Sequence, residues 1–136
     1  MRRILIAAAV ALLPVASFAQ DAVFDSYDAL YKRMVDLTSS RNIAKLMIEF
    51  GGSDEMTQQQ LDSLEARVRQ IYPNDFQTVQ RVRVQEFENG WRQEMFAFYT
   101  GVDYLYTYLL IHDRGDRVAA VNFKFNSAFD KVNEAF

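Results

Sequence analysis

The hydrophobic period of this chain changes once, after Phe76, and that change limits the folds open to it. Upstream, apolar residues recur at three- and four-residue steps, as on one buried face of a helix; downstream they alternate, as on a strand. Val23, Phe24, Tyr27, Leu30, Tyr31, Met34 and Val35 lay out a first helix, with Asp21, Asp25 and Asp28 in the first turns, where the helix dipole favours negative charge. Thr38, Ser39 and Ser40 interrupt it, because hydroxyl side chains compete for backbone hydrogen bonds. A shorter helix carries Ile43, Leu46, Met47 and Phe50 and ends at Gly51 and Gly52, where a left-handed residue is wanted. Thr57 and Gln60 then form a capping box inside a hydrophobic staple of Met56 and Leu61. Leu61, Leu64, Val68 and Ile71 supply that helix with its buried stripe, and Pro73 stops it at Tyr72.

Four strands follow. Val82 and Val84 alternate with Arg81 and Arg83 before Asn89 and Gly90, a type I′ turn signal. The second strand covers 91–99, the third 104–112 and the fourth 118–125, with turns around Gly101 and Gly115. A short helix starting at Ser127 closes the chain, anchored by Phe129, Val132 and Phe136. The expected fold class is α+β: N-terminal helices packed on a curved four-stranded antiparallel meander, with a short C-terminal helix. No linker or repeat divides residues 20–136, which read as a single domain.

Two-residue loops set an expected register. Val84 then faces Met95 and Val82 faces Ala97; Tyr99 faces Tyr104, Ala97 faces Tyr106 and Met95 faces Tyr108; Leu110 faces Val121, Tyr108 faces Phe123 and Tyr106 faces Phe125. Opposed residues share a face. The helices are therefore expected to cover the surface holding Trp91, Met95, Tyr99, Tyr104, Tyr106, Tyr108, Phe123 and Phe125. The opposite face mixes Arg81, Arg83, Arg92, Glu94 and Lys124 with Phe96, Phe98, Leu105, Leu109 and Ile111. That much apolar surface among charges calls for cover. Either the C-terminal helix or a partner supplies it, and the expected interaction face is Phe96, Phe98, Leu105, Leu109 and Ile111.

The start of the chain reads as an export signal. Arg2 and Arg3 precede an uncharged apolar stretch, residues 4–13, and Ser17 and Ala19 are the small residues a signal peptidase needs. Cleavage between Ala19 and Gln20 is expected, which places the protein in the periplasm or outside a bacterial cell. The stretch falls short of the roughly 20 residues that span a bilayer, so no stable membrane insertion is expected after cleavage. Losing 19 of 136 residues, two of them arginine, takes the formal net charge from -3 to -5. An acidic chain of this kind gives no support to nucleic-acid binding. The chain has no cysteine and one histidine, which excludes disulfides and leaves little for metal ligation, so no metal or cofactor is expected.

Groups that could do chemistry are few. His112 is the only imidazole, and the expected register puts it near Trp91 with Glu86 at the same end of the sheet. A carboxylate orienting an imidazole at the mouth of an aromatic pocket is a workable general base. The bland reading of His112 is a half-exposed residue beside a turn. Trp91, Tyr99, Tyr104, Tyr106 and Tyr108 could line a ligand pocket, or simply form a cross-strand ladder. Arg114-Gly115-Asp116 matches an adhesion tripeptide, but Gly-Asp is also what a hairpin turn needs.

The order of elements and the aromatic strands resemble the NTF2-like or cystatin-like α+β rolls common among small exported bacterial proteins. The resemblance implies either an isomerase- or dehydratase-like enzyme or a non-catalytic, often dimeric, binding domain. On the first alternative, the tyrosines would line the cone and His112 would be its base. On the second, the partner would be a second copy of the chain or another envelope protein.

Overall fold

The computed structural model describes residues 22–51 and 56–136. The expected export signal, its cleavage site and Gly52 lie outside them. Within them the chain is α+β, with elements β1 (Val23–Phe24), α1 (Tyr27–Ser39), α2 (Ile43–Glu49), α3 (Gln58–Ile71), β2 (Thr78–Glu86), β3 (Trp91–Thr100), β4 (Asp103–Asp113), β5 (Val118–Asn126) and α4 (Phe129–Asn133). The strands form one antiparallel sheet in the order β1-β5-β4-β3-β2.

The sheet has five strands, where the sequence led us to expect four. Val23 and Phe24, expected to begin the first helix, instead pair with Ala119 and Val118. The helix starts later because Ser26 caps it, its hydroxyl accepting from the Ala29 N–H at 3.1 Å. The capping box at α3 forms as expected: Thr57 accepts from the Gln60 N–H, and the Gln60 side chain accepts from the Thr57 N–H. A two-pronged pair between Arg33 on α1 and Glu49 on α2, both contacts 2.6 Å, ties those helices together.

The three hairpins set the faces of the sheet. The middle one has the expected register, with Tyr99 opposite Tyr104, Ala97 opposite Tyr106 and Met95 opposite Tyr108. In the first, Asn89 and Gly90 take the positive φ values their turn demands, 62° and 83°. The ladder then resumes with Phe87 on Trp91 rather than Glu88 on Trp91, so Val84 meets Glu94, not Met95. A second irregularity between Arg81 and Arg83 leaves Val82 as a bulge and sends those two arginines to opposite sides of the sheet. In the third hairpin the turn is as expected, but a bulge at Val121 shifts everything beyond it. Lys124, not Phe123, stands opposite Tyr108, and Phe123 stands opposite Leu109.

The face assignment is therefore reversed. Helices α1, α2 and α3 cover the face expected to await a partner. Phe96, Phe98, Leu105, Leu109 and Ile111 are at most 2% exposed and pack with Leu30, Met34, Ile43, Leu46 and Val68 as the main core. Ring contacts knit the layers together: Tyr31 to Phe96 at 5.6 Å, Phe76 to Phe98 at 6.1 Å and Phe50 to Phe123 at 5.5 Å. The physical reason is the polarity of the two sets. Phenyl and aliphatic side chains lose nothing in a dry interior, whereas a tyrosine hydroxyl needs a partner or water. The tyrosine face is the outer one, and among the described residues only α4 covers it. There Met95, Tyr108 and Val132 form a small second core with Tyr106, Leu110 and Phe136 packed around it.

Candidate functional site

The outer face brings the predicted aromatic residues onto one surface without joining them in one pocket. At its centre Tyr108 is 4% exposed. Its hydroxyl accepts from Gln93 at 2.8 Å, and the Phe136 ring meets it edge-on at 5.4 Å. Gln93 also donates to the Ala135 carbonyl, while Arg83 donates to Asn133 and lays its guanidinium 4.2 Å from the Phe136 ring. The chain's own C-terminal residues thus fill the space where a pocket wall was expected. On one side of this plug lie Tyr99, Tyr104 and Tyr106, with centroid spacings of 5.1 and 6.2 Å, followed by Phe129 at 5.5 Å from Tyr106. On the other side Trp91 and His112 stack at 4.2 Å and 9°.

Glu86 does not join His112. The shifted ladder sets Glu86 opposite Arg92, 4.0 Å away, on the face that carries Glu94. His112 stands opposite Trp91 on the outer face. A carboxylate on the far side of a sheet cannot orient an imidazole.

The arrangement that the sequence reading missed lies on the helix side, at the β2 edge. Glu94 is fully buried. Its carboxylate accepts from the Tyr27 hydroxyl at 2.8 and 3.0 Å, from Arg81 at 3.0 Å and from Arg92 at 2.5 Å. Each partner follows from local structure. Tyr27 stands on the first turn of α1, Arg92 is two residues before Glu94 on the same side of β3, and Arg81 comes from β2 next to the bulge. The Arg92 guanidinium also lies 5.3 Å from the centre of the Tyr27 ring. Burial and the adjoining carboxylate push the Tyr27 phenol up to about 12, so its hydroxyl keeps its proton and donates. The signal was present in the sequence: a Glu beside Met95 and Phe96 in an apolar strand must be paired if it is buried.

The cluster borders a cleft of about 370 Å³ lined by Tyr27, Asp28, Tyr31, Arg81 and Phe96. A broader hollow of about 650 Å³ runs along α3 past Thr57, Gln60 and Leu64, with Arg67 as its one charged wall residue among the described residues. Among the described residues, no three His, Asp or Glu side chains converge as a metal site, and no helix is long and apolar enough to cross a membrane. The fold and these sites define a small α+β domain whose antiparallel sheet is covered by three helices on one side and half covered by one on the other. In comparison with known proteins, no family model matches the chain, and neither a curated protein nor a solved structure does.

Proposed function

We propose that this chain is an exported, non-catalytic binding domain of the NTF2-like or cystatin-like kind, which associates with a second copy of itself through the outer face of its sheet. The observation that carries the reading is the strip formed by Tyr99, Tyr104, Tyr106 and Phe129, the first residue of α4, which the rest of that helix leaves partly exposed. Tyr104 and Phe129 are 41 and 47% exposed although each packs on another ring of the strip. Amphipathic rings of this kind supply large contact area while tolerating water, which is why tyrosine and phenylalanine are enriched at protein interfaces. Export rests on Arg2, Arg3 and the apolar stretch before Ser17 and Ala19. The catalytic alternative needs Glu86 to orient His112, and the two occupy opposite faces.

Sedimentation velocity over a concentration series tests the proposal. The parent chain should pass from monomer to dimer as concentration rises, and Tyr104→Arg or Phe129→Asp should hold it monomeric while still folded by circular dichroism. A parent that stays monomeric up to near-millimolar concentration, or variants that dimerise as the parent does, would remove the basis for it.

A further inference from the structure

The cleft beside Glu94 lies on the other side of the sheet from the aromatic strip and carries an inference of its own. Its volume of about 370 Å³ sits at the lower end of small-molecule sites. Its lining is unusual in charge. Arg92, at 2.5 Å, matches the negative charge of Glu94, and Tyr27 stays protonated and adds a neutral donor. Arg81 gives Glu94 a single N–H, and the rest of its fork of donors lies on a side chain 45% exposed in the cleft. Arg92 is shared between Glu94 and Glu86, the latter 4.0 Å away, whereas Arg81 keeps donors free toward the cleft, held in place by the buried carboxylate behind it. Asp28, exposed on the first turn of α1, lines the same cleft. Among the described residues, no cation pairs with it. Between these charges runs an apolar wall, with the Tyr27 and Tyr31 rings 6.1 Å apart and Phe96 5.6 Å from Tyr31.

We propose that this cleft binds a small zwitterion bearing an apolar group, an amino-acid-like molecule. Its carboxylate sits on the free edge of Arg81, its ammonium on Asp28 and its apolar group on the ring of Tyr31, which Phe96 backs from the core. The lining selects against the simpler ligands: a plain anion meets Asp28, a plain cation meets Arg81, and a molecule with both charges satisfies each. Guanidinium also suits the task because its planar fork takes a carboxylate in two parallel hydrogen bonds.

The test is a titration of the chain with L-phenylalanine, phenylacetate and phenethylamine, followed by backbone amide shifts. L-Phenylalanine should move the amides of Tyr27, Tyr31, Arg81 and Phe96, and it should bind more tightly than either single-charge analogue. Arg81→Met should abolish that binding; because Arg81 also supports Glu94, Asp28→Asn is the cleaner variant. Asp28 is exposed and, among the described residues, makes no ion pair, so its substitution costs only the small helix-dipole contribution of a first-turn carboxylate and keeps the chain folded. It should weaken L-phenylalanine roughly tenfold, the loss expected of one charge-assisted contact, and leave phenylacetate as tight or tighter. The proposal fails if L-phenylalanine moves no cleft amide, if phenylacetate binds as tightly as L-phenylalanine, or if Asp28→Asn changes nothing. Shifts confined to Trp91, Tyr104 and Tyr106 would place binding on the outer face and overturn it as well.

Discussion

Replacing Glu94 with glutamine keeps the shape of a fully buried side chain and removes its charge. In the parent, that carboxylate accepts from Tyr27, Arg81 and Arg92. The amide keeps one acceptor oxygen, and its NH2 group turns two donors toward partners that are themselves donors. Hydrogen bonds to charged groups contribute about 1.5–3 kcal/mol each, and breaking a buried ion pair costs about 3–5 kcal/mol. Arg81 and Arg92 are 45 and 27% exposed, so water recovers part of the loss. The expected cost is therefore near the lower bound, about 3 kcal/mol, or a fall in Tm of about 10 °C for a domain of this size. Urea unfolding should show the midpoint move with no change in slope. The triple variant Arg81→Met, Glu94→Leu, Arg92→Met should regain most of the stability, within about 1 kcal/mol of the parent, because it removes all three charges together. The reasoning is refuted if Glu94→Gln unfolds within about 0.5 kcal/mol of the parent, the range of an ordinary surface substitution. It also fails if the triple variant is no more stable than the single one.

Three further outcomes follow from the same geometry. Phe98→Ala should cost about 3–5 kcal/mol and Tyr104→Ala less than about 1 kcal/mol in chemical denaturation, since the first empties the main core and the second trims an open face; equal costs would reverse the face assignment. An alkaline absorbance titration should show the Tyr27 phenol ionising near pH 12, a component that Tyr27→Phe removes; because the folded protein holds this proton more tightly, the associated stability is full below about pH 10 and is lost as pH rises through about 12. Arg33 lowers the Glu49 carboxyl pKa by hydrogen bonding, outweighing its partial burial, so the contribution of this pair is present at neutral pH and lost on acidification; Glu49→Gln should flatten the acid limb of the stability profile.

Much of the secondary structure could be read from the sequence because its signals act over a few residues. The Thr57 capping box, the stop at Pro73, the glycine turns and the alternation of β3 and β4 each depend on neighbours in the chain, and all of them appear in the fold. The first helix begins later than its apolar spacing predicts: Val23 and Phe24 continue that spacing, but their partners, Ala119 and Val118, lie far along the sequence. The candidate site was less legible. Trp91 and His112 do meet, and the tyrosines do share a face. Glu86 fell on the wrong side of the sheet because one extra residue of offset in a hairpin inverts every side chain beyond it.

The sequence by itself determined where the helices end, where the strands turn and which residues of β3 and β4 oppose each other. The tertiary structure decided which face of the sheet lies inside. Alternation defines two faces and ranks neither, and here each carried a plausible core. Packing of the helices on the phenyl and aliphatic set resolved the choice for β3 and β4, and two bulges fitted the outer strands to it: Val82 and Val121 drop out of the ladder, and Phe123 and Phe125 swing under the helices. Arg81, Arg92 and Tyr27 converge on Glu94 from two strands and a helix. That convergence is long-range, so the charges that seemed to mark an exposed face became a paired cluster at the edge of the core. The tyrosines of β3 and β4 lie on the other face.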